Sequence, residues 1–266
     1  MKVTFLGTGT SVGIPVIGCQ CPVCVSTDPR NRRRRSSLYI EAAGLGVVID
    51  TSLDFREQAL TFRVPRVDAV LITHSHADHI FGLDDVRRYN TLQGARIPVY
   101  GSSATVADLL RIFDYVGAEP GPPGVFRPQL DFVVISGPLT LGEVRVVPVR
   151  VAHGKTETLG FRVEAHGRAL GYVPDCSGME AEAVRRLTGV DVMILDGLRH
   201  RPHPTHCTVA ESVALLQRIG ARQSFITHMC HELDHEETQE ALPPGVFVSC
   251  DGLTVSLQAE SPAAQH

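Results

Sequence analysis

Residues 73–82 read THSHADHIFG, a segment with a high local density of histidine. The whole chain has 12 histidines in 266 residues, yet three of them fall within six positions here, together with one aspartate. The four side chains are His74, His76, Asp78 and His79. The apolar run VDAVLIT (67–73) predicts a buried strand that ends where the cluster begins. Four potential ligands at this spacing indicate a metal site rather than a solvated loop.

The order of these side chains predicts ligands for two metals. Imidazole is a common ligand of Zn, Mn and Fe, and carboxylate adds a hard oxygen with negative charge. In an extended turn, His74 and His76 point the same way and can share one ion. Asp78 and His79 follow one short bend later and face a second position. The segment therefore supplies part of a dinuclear site.

Further ligands are expected where other apolar strands end. His153 follows RVVPVRVA, Asp175 follows ALGYVP, and His228 follows SFIT. A lone histidine is more often a satisfied core or surface residue than a ligand. The shared strand-end placement favours the metal interpretation for all three, because α/β sheets place their sites at strand ends.

The composition is that of an ordinary globular protein, with 43% hydrophobic and 20% charged residues. The formal charge of -4 and the pI near 6.3 exclude a global attraction to nucleic acid or anionic membranes. No apolar run approaches the ~18–20 residues that cross a membrane. The start, MKVTFLGTGTSVG, lacks the features of a signal peptide. We therefore expect a cytoplasmic protein with no membrane partner.

Strand-rich stretches alternate with helices in both halves of the chain, which predicts one layered α/β domain over 1–266. Strands are predicted at 2–7, 38–42, 46–50, 67–73, 132–135, 144–149, 159–164, 169–173, 191–197, 224–228, 247–249 and 253–257. Helices are predicted at 54–60, 103–116, 179–187 and 209–219, a Pro/Gly-rich loop at 117–128, and a disordered tail at 259–266.

A second metal site is indicated by the cysteines. The chain has seven, and GCQCPVC brings three of them together as Cys19, Cys21 and Cys24. An odd count with this clustering suits metal binding better than a disulfide framework. Three close thiolates form a tetrahedral zinc site that lacks one ligand. The candidates for the fourth ligand are Cys230, His231 and His235.

The histidine-rich segment and the strand-end residues resemble the metal ligands of a known family. THSHADH resembles the H-x-H-x-D-H signature of the metallo-β-lactamase-fold hydrolases, and the later candidates occur in that family's order and spacing. The resemblance implies an α+β fold, a four-layered αβ/βα sandwich, with a dinuclear centre between two sheets. It implies one metal on His74, His76 and His153, a second on Asp78, His79 and His228, and Asp175 as the bridge.

The cysteine loop narrows the resemblance. C-x-C-x2-C after the first strand, together with H-x-H-x-D-H, resembles the PhnP-type cyclic-phosphate phosphodiesterases. In that group the fourth zinc ligand lies three residues after the last active-site histidine, which implies His231 and a structural zinc site at residues 19–24. The catalytic histidine lies 22 residues before the last active-site histidine, which implies His206. Asp78 is the second expected catalytic residue, and His200 and His203 remain alternatives to His206.

The resemblance therefore implies a phosphodiesterase of phosphonate metabolism with two divalent metals, Mn or Zn, and one structural Zn. The expected partner is a small phosphate diester such as 5-phosphoribosyl 1,2-cyclic phosphate, and members of the group often form homodimers. An RNase Z-like nuclease and a PqqB-like accessory metalloprotein are the alternatives. The acidic balance disfavours nucleic acid as a partner.

Three other motifs have weaker interpretations. HELDH (231–235) fits the H-E-x-x-H protease signature, which needs a helix and a further downstream ligand. GTGTSVGIP (7–15) lacks the glycine spacing of a dinucleotide site, although its backbone N–H groups could face an anion near the metals. RRRR (32–35) is typical of a solvated charge run, from which one arginine could face the pocket.

Overall fold

The predicted strands assemble into two seven-stranded sheets in the computed structural model, which describes residues 1–116 and 127–257. The first sheet contains β1 (Lys2–Gly7), β2 (Ser37–Ala42), β3 (Leu45–Ile49), β4 (Ala69–Leu71), β5 (Ile97–Gly101), β6 (Leu130–Val134) and β14 (Thr254–Ser256), in the order β14-β1-β2-β3-β4-β5-β6. The second contains β7 (Leu139–Leu141), β8 (Val144–Val151), β9 (Thr158–Ala165), β10 (Arg168–Val173), β11 (Val192–Asp196), β12 (Gln223–Thr227) and β13 (Val246–Val248), in the order β13-β12-β11-β10-β9-β8-β7.

Both sheets have one antiparallel half and one parallel half. Strands β14, β1, β2 and β3 pair antiparallel, and β3 to β6 pair parallel. The second sheet repeats this arrangement, antiparallel from β7 to β10 and parallel from β10 to β13. Parallel strands bring their carboxyl ends to one edge of a sheet, so the polar residues that follow them gather there.

The longer helices pack on the outer face of each sheet, and short helices lie in the loops that connect strands. They are α1 (Pro22–Val25), α2 (Phe55–Thr61), α3 (Ala77–Ile80), α4 (Arg87–Gln93), α5 (Ser103–Ile112), α6 (Ala181–Leu187), α7 (Val209–Ile219) and α8 (His235–Ala241), with 3-10 turns at Pro29–Asn31 and Leu83–Val86. Helix α7 has the clearest local signals. Thr208 and Glu211 form a capping box at its start, and Gly220 adopts the left-handed conformation at its end.

Three apolar clusters separate the layers. Between the sheets, Phe5 of β1 and Phe225 of β12 pack with ring centroids 5.4 Å apart, and both rings are buried. Outside the first sheet, Phe55 packs with residues of β4 and α5. Outside the second sheet, Leu187 and Leu216 pack on β11 and β12. Burying each such side chain contributes about 1.5–3 kcal/mol. The expected four-layered αβ/βα sandwich is confirmed.

Several elements differ from the sequence-based expectation. Elements α1, α3, α4, β5, β7 and α8 were not predicted, and the helix expected at 103–116 ends at Ile112. The expected strand 67–73 forms its ladder only over Ala69–Leu71. Most of the loop expected at 117–128 and the tail expected at 259–266 lie outside the described residues. Within the described ranges, no helix is long and apolar enough to span a bilayer.

Candidate metal centre and catalytic site

All seven candidate ligands of the dinuclear site come together where strands end. His74 follows β4, His153 follows β8, Asp175 follows β10, and His228 follows β12. Three groups of ligand atoms each lie within 4.8 Å of one another: His74, His76 and His153; Asp78, His79 and His228; and His74, His79 and Asp175. The first two groups match the ligand sets expected for two ions, and we call these seven residues the histidine–aspartate cluster.

Asp175 lies between the two groups. Its Oδ2 is 4.0 Å from His74 Nε2, 3.8 Å from His153 Nε2 and 3.4 Å from His228 Nε2. Its Oδ1 is 3.4 Å from His79 Nε2. One carboxylate therefore reaches both groups, as a bridging ligand has to do.

Several atoms that face this cluster are buried without a protein partner. Among residues 1–116 and 127–257, no hydrogen-bond partner is found for His79 Nε2, His228 Nε2 or Asp175 Oδ1. Each unsatisfied buried polar atom costs about 1–3 kcal/mol. A divalent cation would satisfy these atoms, and imidazole with carboxylate is a donor set that Zn and Mn accept. The residues therefore fit the divalent metals that the fold implies.

The charges of the cluster are closely balanced. Burial opposes charge on His79, but the carboxylates of Asp175, Asp50 and Asp78 outweigh it and raise the pKa of that imidazole. Burial, followed by the charge of His79, holds the pKa of His74 well below its usual value. The three carboxylates therefore make the interior of the cluster favourable for positive charge.

Asp50 belongs to the site although it was not predicted. It follows β3, and its Oδ2 accepts a hydrogen bond from His79 Nδ1 at 2.7 Å. The same carboxylate accepts from Thr73 N and Thr73 Oγ1, both at 2.8 Å. It adopts the left-handed conformation with φ +61°, as does His228 with φ +58°. The hydrogen bond between Asp50 and His79 Nδ1 directs the other ring nitrogen of His79, Nε2, towards the cluster. The signal was present, because GVVID also closes an apolar strand with a polar residue.

His206 lies beside the cluster and is oriented by Asp196, a second residue that was not predicted. His206 Nδ1 is 2.8 Å from Asp196 Oδ2, and His206 Nε2 is 3.9 Å from Asp175 Oδ2. Because the same Asp196 oxygen accepts the N–H of Cys176 at 3.0 Å, we assign the His206 proton to Nδ1. Burial, followed by the charge of His228, lowers the pKa of His206 to about 4. Asp196 ends β11, so the strand-end pattern could also have found it.

The other two histidines of this loop lie farther out. The His203 ring centroid is 5.1 Å from that of His206, and Thr205 N–H donates to His203 Nδ1 at 3.3 Å. His200 is exposed. The same loop contacts the histidine–aspartate cluster, because His153 Nδ1 donates a hydrogen bond to Thr205 O at 2.8 Å. Of the three alternatives, His206 is the one placed against Asp175.

The cysteine loop meets His231. The Sγ atoms of Cys19, Cys21 and Cys24 lie 3.2, 3.5 and 3.8 Å from His231 Nδ1. These separations match the roughly 3.6 Å edge of a tetrahedral zinc site. Burial opposes ionisation of Cys21, but hydrogen bonds, first from Cys24 N–H, lower its pKa to about 7. We call these four residues the thiol cluster.

The other candidates for the fourth position have different roles. Cys230 Sγ accepts from Glu232 N at 3.4 Å, and His235 N donates to Asn31 Oδ1 at 2.9 Å. Helix α8 begins only at His235, so residues 231–234 are not helical. The H-E-x-x-H protease signature therefore lacks the helix that would place its two histidines on one face.

The glycine-rich loop at 7–15 has little capacity left for an anion. The N–H groups of Gly9, Thr10 and Gly13 donate to the carbonyl oxygens of Arg34, Met229 and Thr10. Three of its amides therefore bind protein carbonyl oxygens, so an anion at this loop would have to bind its remaining N–H groups.

Three arginines of the run at 32–35 contact other parts of the protein. Arg33 is buried, Arg34 stacks on Phe62 with 5.6 Å to the ring centroid, and Arg35 pairs with Asp54 at 2.9 Å. These three side chains have protein partners, in place of the solvated charge run that was expected.

Comparisons with known proteins agree with this geometry. Residues 46–229, more than half of the chain, match the beta-lactamase superfamily domain. A diphosphatase of the PhnP family has 39% identity and a TM-score of 0.88, covering 97% of this chain and 98% of that one. Zn²⁺-bound PqqB from Methylobacterium extorquens has 22% identity and a TM-score of 0.78, covering 97% and 100%, and supports the fold alone.

An octanoyltransferase from Porphyromonas gingivalis is 34% identical over 256 residues, or 95% of this chain. The chain spans about half, 51%, of the length of that protein. The superfamily match covers most of the fold, and the PhnP-family similarity covers nearly the whole chain. The chain therefore belongs to the metallo-β-lactamase superfamily and to its PhnP family.

Proposed function

We propose that this protein is a metal-dependent phosphodiesterase that hydrolyses a small phosphate diester. The observation that carries the proposal is the His206–Asp196 pair, held 3.9 Å from Asp175 at the edge of the histidine–aspartate cluster. A general acid at this distance from a cationic centre suits a reaction in which a poor oxygen leaving group has to be protonated.

Each residue has a distinct role in this proposal. Two divalent cations bound by the cluster would polarise the phosphoryl oxygens and lower the pKa of the attacking water. Asp196 keeps Nδ1 protonated and the ring in place, and the free Nε2 of His206 takes up a proton from solvent when the negatively charged diester binds and gives it to the leaving oxygen. Asp78 lies at the less buried side of the cluster, with its Oδ2 3.6 Å from His228 Nε2, and accepts a hydrogen bond from the attacking water.

The charge distribution supports a small substrate over a polynucleotide. The chain has a net charge of -4, and the arginines at 33, 34 and 35 are committed to protein partners. A nuclease relies on Lys and Arg that neutralise several phosphates along a strand. His203, next to His206 and less buried, is suited to contact a further part of a small phosphate ester.

A second candidate is hydrolysis of a diphosphate, favoured by the 39% identical relative that is a diphosphatase. The same cluster would serve both reactions, but the leaving group differs. Phosphate leaves as a weak base and needs little protonation, whereas an alkoxide needs a proton from a general acid. Dependence on His206 therefore separates the two candidates.

The test is turnover by protein loaded with Mn²⁺ or Zn²⁺ on four substrates: bis(p-nitrophenyl) phosphate, a cyclic ribose phosphate, a nucleoside diphosphate and an acyl thioester. We expect diester hydrolysis that depends on His206. Faster turnover of the diphosphate with little effect of H206Q would support the second candidate. The thioester is included because the chain is similar to about half of an octanoyltransferase. Turnover of the thioester alone would contradict both candidates.

Metal content provides an independent criterion. The proposal requires two metals per chain besides the one expected in the thiol cluster. Fewer than two would favour a non-hydrolytic accessory role similar to that of the PqqB proteins.

A further inference from the structure

Arg33 is a cation buried in the interior of the protein. Its exposed fraction is 1%, and it is the largest of the fully buried side chains. Its Nη1 donates to Cys230 O at 3.2 Å, and its Nη2 donates to Leu233 O at 2.8 Å and to Asn31 Oδ1 at 3.1 Å. Across residues 1–116 and 127–257, no carboxylate forms an ion pair with it, and its Nε has no partner. A buried charge in this position needs compensation from another source.

The nearest acidic groups are committed elsewhere. Asp251 accepts from Thr8 Oγ1 and Arg34 N, both at 2.8 Å. Asp234 accepts from Asn31 Nδ2 at 2.7 Å and caps α8. Both attract Arg33 only at longer range.

The two carbonyls that Arg33 binds lie on either side of His231. Cys230 precedes it and Leu233 follows it two residues later, so the guanidinium holds the turn that presents His231 Nδ1 to the three thiols. The backbone of Arg33 also pairs with Ile14 in both directions, at 2.9 and 2.8 Å. Ile14 packs in turn against the cysteine loop.

Zinc bound in the thiol cluster would create a negative charge that a cation at this position balances. A zinc ligand has to be a thiolate or a neutral imidazole. Three thiolates and one imidazole around Zn²⁺ carry a net charge of about -1, which a single arginine neutralises. Burial lowers the pKa of Arg33 to about 10, so the side chain is charged at neutral pH.

We propose that Arg33 is the counter-charge of the thiol cluster and the residue that positions His231 within it. This inference rests on the proposed zinc at Cys19, Cys21, Cys24 and His231, and it is independent of the reaction at the histidine–aspartate cluster. The arginine binds backbone carbonyls, which fix the turn, and its unpaired charge stabilises the metal–thiolate group across that turn.

The test uses protein in which Cd²⁺ occupies the thiol cluster, because the ligands of the histidine–aspartate cluster include no thiolate that could give a thiolate-to-cadmium absorption band. The rate at which the band disappears in excess EDTA is compared for the wild type, R33M, R33K and the control R34M. We expect R33M to release the metal on the order of tenfold faster, R33K to release it less than about threefold faster, and R34M to match the wild type. R34M removes a neighbouring cation that is bound to Thr61 and stacked on Phe62.

A double-mutant cycle separates charge from structure. C19H replaces one thiolate by a neutral ligand, so its site has no net charge to compensate. R33M should therefore accelerate release less in the C19H background than in the wild type, and the acceleration that remains there measures the loss of the bonds to the Cys230 and Leu233 carbonyl oxygens. The proposal is overturned if R33M releases the metal at the wild-type rate. It is also overturned if R33M accelerates release equally in the wild-type and C19H backgrounds. If R33M does not fold, C19H/R33M has to restore a folded protein, and failure to do so also overturns it.

The readout distinguishes this inference from the proposed function. Absence of a thiolate band from the wild type would remove the zinc assignment and the role of Arg33 together, whatever the enzyme hydrolyses. Loss of phosphodiesterase turnover with normal metal release would affect only the proposed reaction.

Discussion

The histidine–aspartate cluster and the thiol cluster differ in how much of the fold they draw on. The first takes four ligands from residues 74–79, after a strand of the first sheet, and adds three from the ends of three strands of the second sheet. The second takes three ligands from residues 19–24 and adds one distant histidine. Hard and borderline donors beside a partly open edge suit a centre that accepts substrate, whereas four soft or borderline donors that fill a tetrahedron suit a closed structural site.

The two clusters are joined by one short segment. His228 belongs to the first and His231 to the second. Between them, Met229 N donates to Thr8 O at 3.0 Å, and Thr10 N donates to Met229 O at 3.2 Å. The thiol cluster can therefore hold the end of a catalytic strand without taking part in the chemistry.

The largest expected effect comes from D175N, which removes a negative charge from the middle of the histidine–aspartate cluster. Because Asp175 lies against His74, His79, His153 and His228, we expect loss of metal from this cluster and a fall in kcat/KM of more than about 10³-fold. Elemental analysis should still find one zinc in the thiol cluster. Loss of that zinc as well would contradict the separation of the two sites.

H206Q should reduce kcat for diesters by about 10²–10⁴-fold, because the leaving oxygen loses its proton donor. Metal content should be unchanged, since His206 is not among the expected ligands. H200Q, on the same loop and exposed, is the matched control and should behave as the wild type. A diester with a p-nitrophenol leaving group should be less affected than one with an alkyl leaving group, and equal sensitivity would argue against general-acid catalysis.

D50N should weaken metal binding at the histidine–aspartate cluster by about 10–100-fold, because it loosens the carboxylate that orients His79. Competition with a metal indicator would measure this affinity. Excess Mn²⁺ should restore most of the turnover, which would not happen if Asp50 took part directly in the reaction.

C21A should remove one zinc per chain and lower the melting temperature. Its effect on kcat should stay below about tenfold, because the seven residues of the other cluster remain in place. Differential scanning calorimetry and steady-state kinetics on the same preparation would test this. A total metal content that does not change would show that the thiol cluster holds no zinc.

The smallest effect concerns Asp251, which accepts a hydrogen bond from Thr8, the residue that also binds Met229 between the two clusters. Burial raises the pKa of Asp251 from 3.8 to about 7, so the folded protein holds this proton more tightly than the unfolded chain. The contribution of Asp251 to the free energy of unfolding is therefore greatest below pH ~4 and falls as pH rises to ~7, by at most about 1.4 kcal/mol per pH unit. Urea titrations should show this slope in the wild type and a flatter one in D251N. Identical slopes would exclude Asp251 as its source.

Much of the sandwich and most of the candidate site could be predicted from local patterns. Apolar strands closed by a polar residue indicated His153, Asp175 and His228, and the structure brings them to one cluster. Asp50 and Asp196 show the same pattern and were missed, because their role is to hold histidines and no ligand motif contains them. Helix α4 and strand β5 lacked a clear periodicity, since their burial depends on neighbouring layers.

The arginine run shows where local reasoning fails. Consecutive arginines are normally solvated, because a lone charge is costly to bury. Arg33 is buried nonetheless, since the turn at 230–233 supplies carbonyl oxygens from almost 200 residues away. Nothing in residues 32–35 encodes those acceptors.

Side-chain type and hydrophobic periodicity are local properties, so residue patterns alone indicated which chemical groups are present and which strand ends carry them. Local patterns did not indicate that Asp175 lies between two histidine groups, that Asp196 orients His206, or that His231 rather than His235 meets the thiols. Those outcomes depend on contacts between residues distant in the chain, which exist only once both sheets have packed.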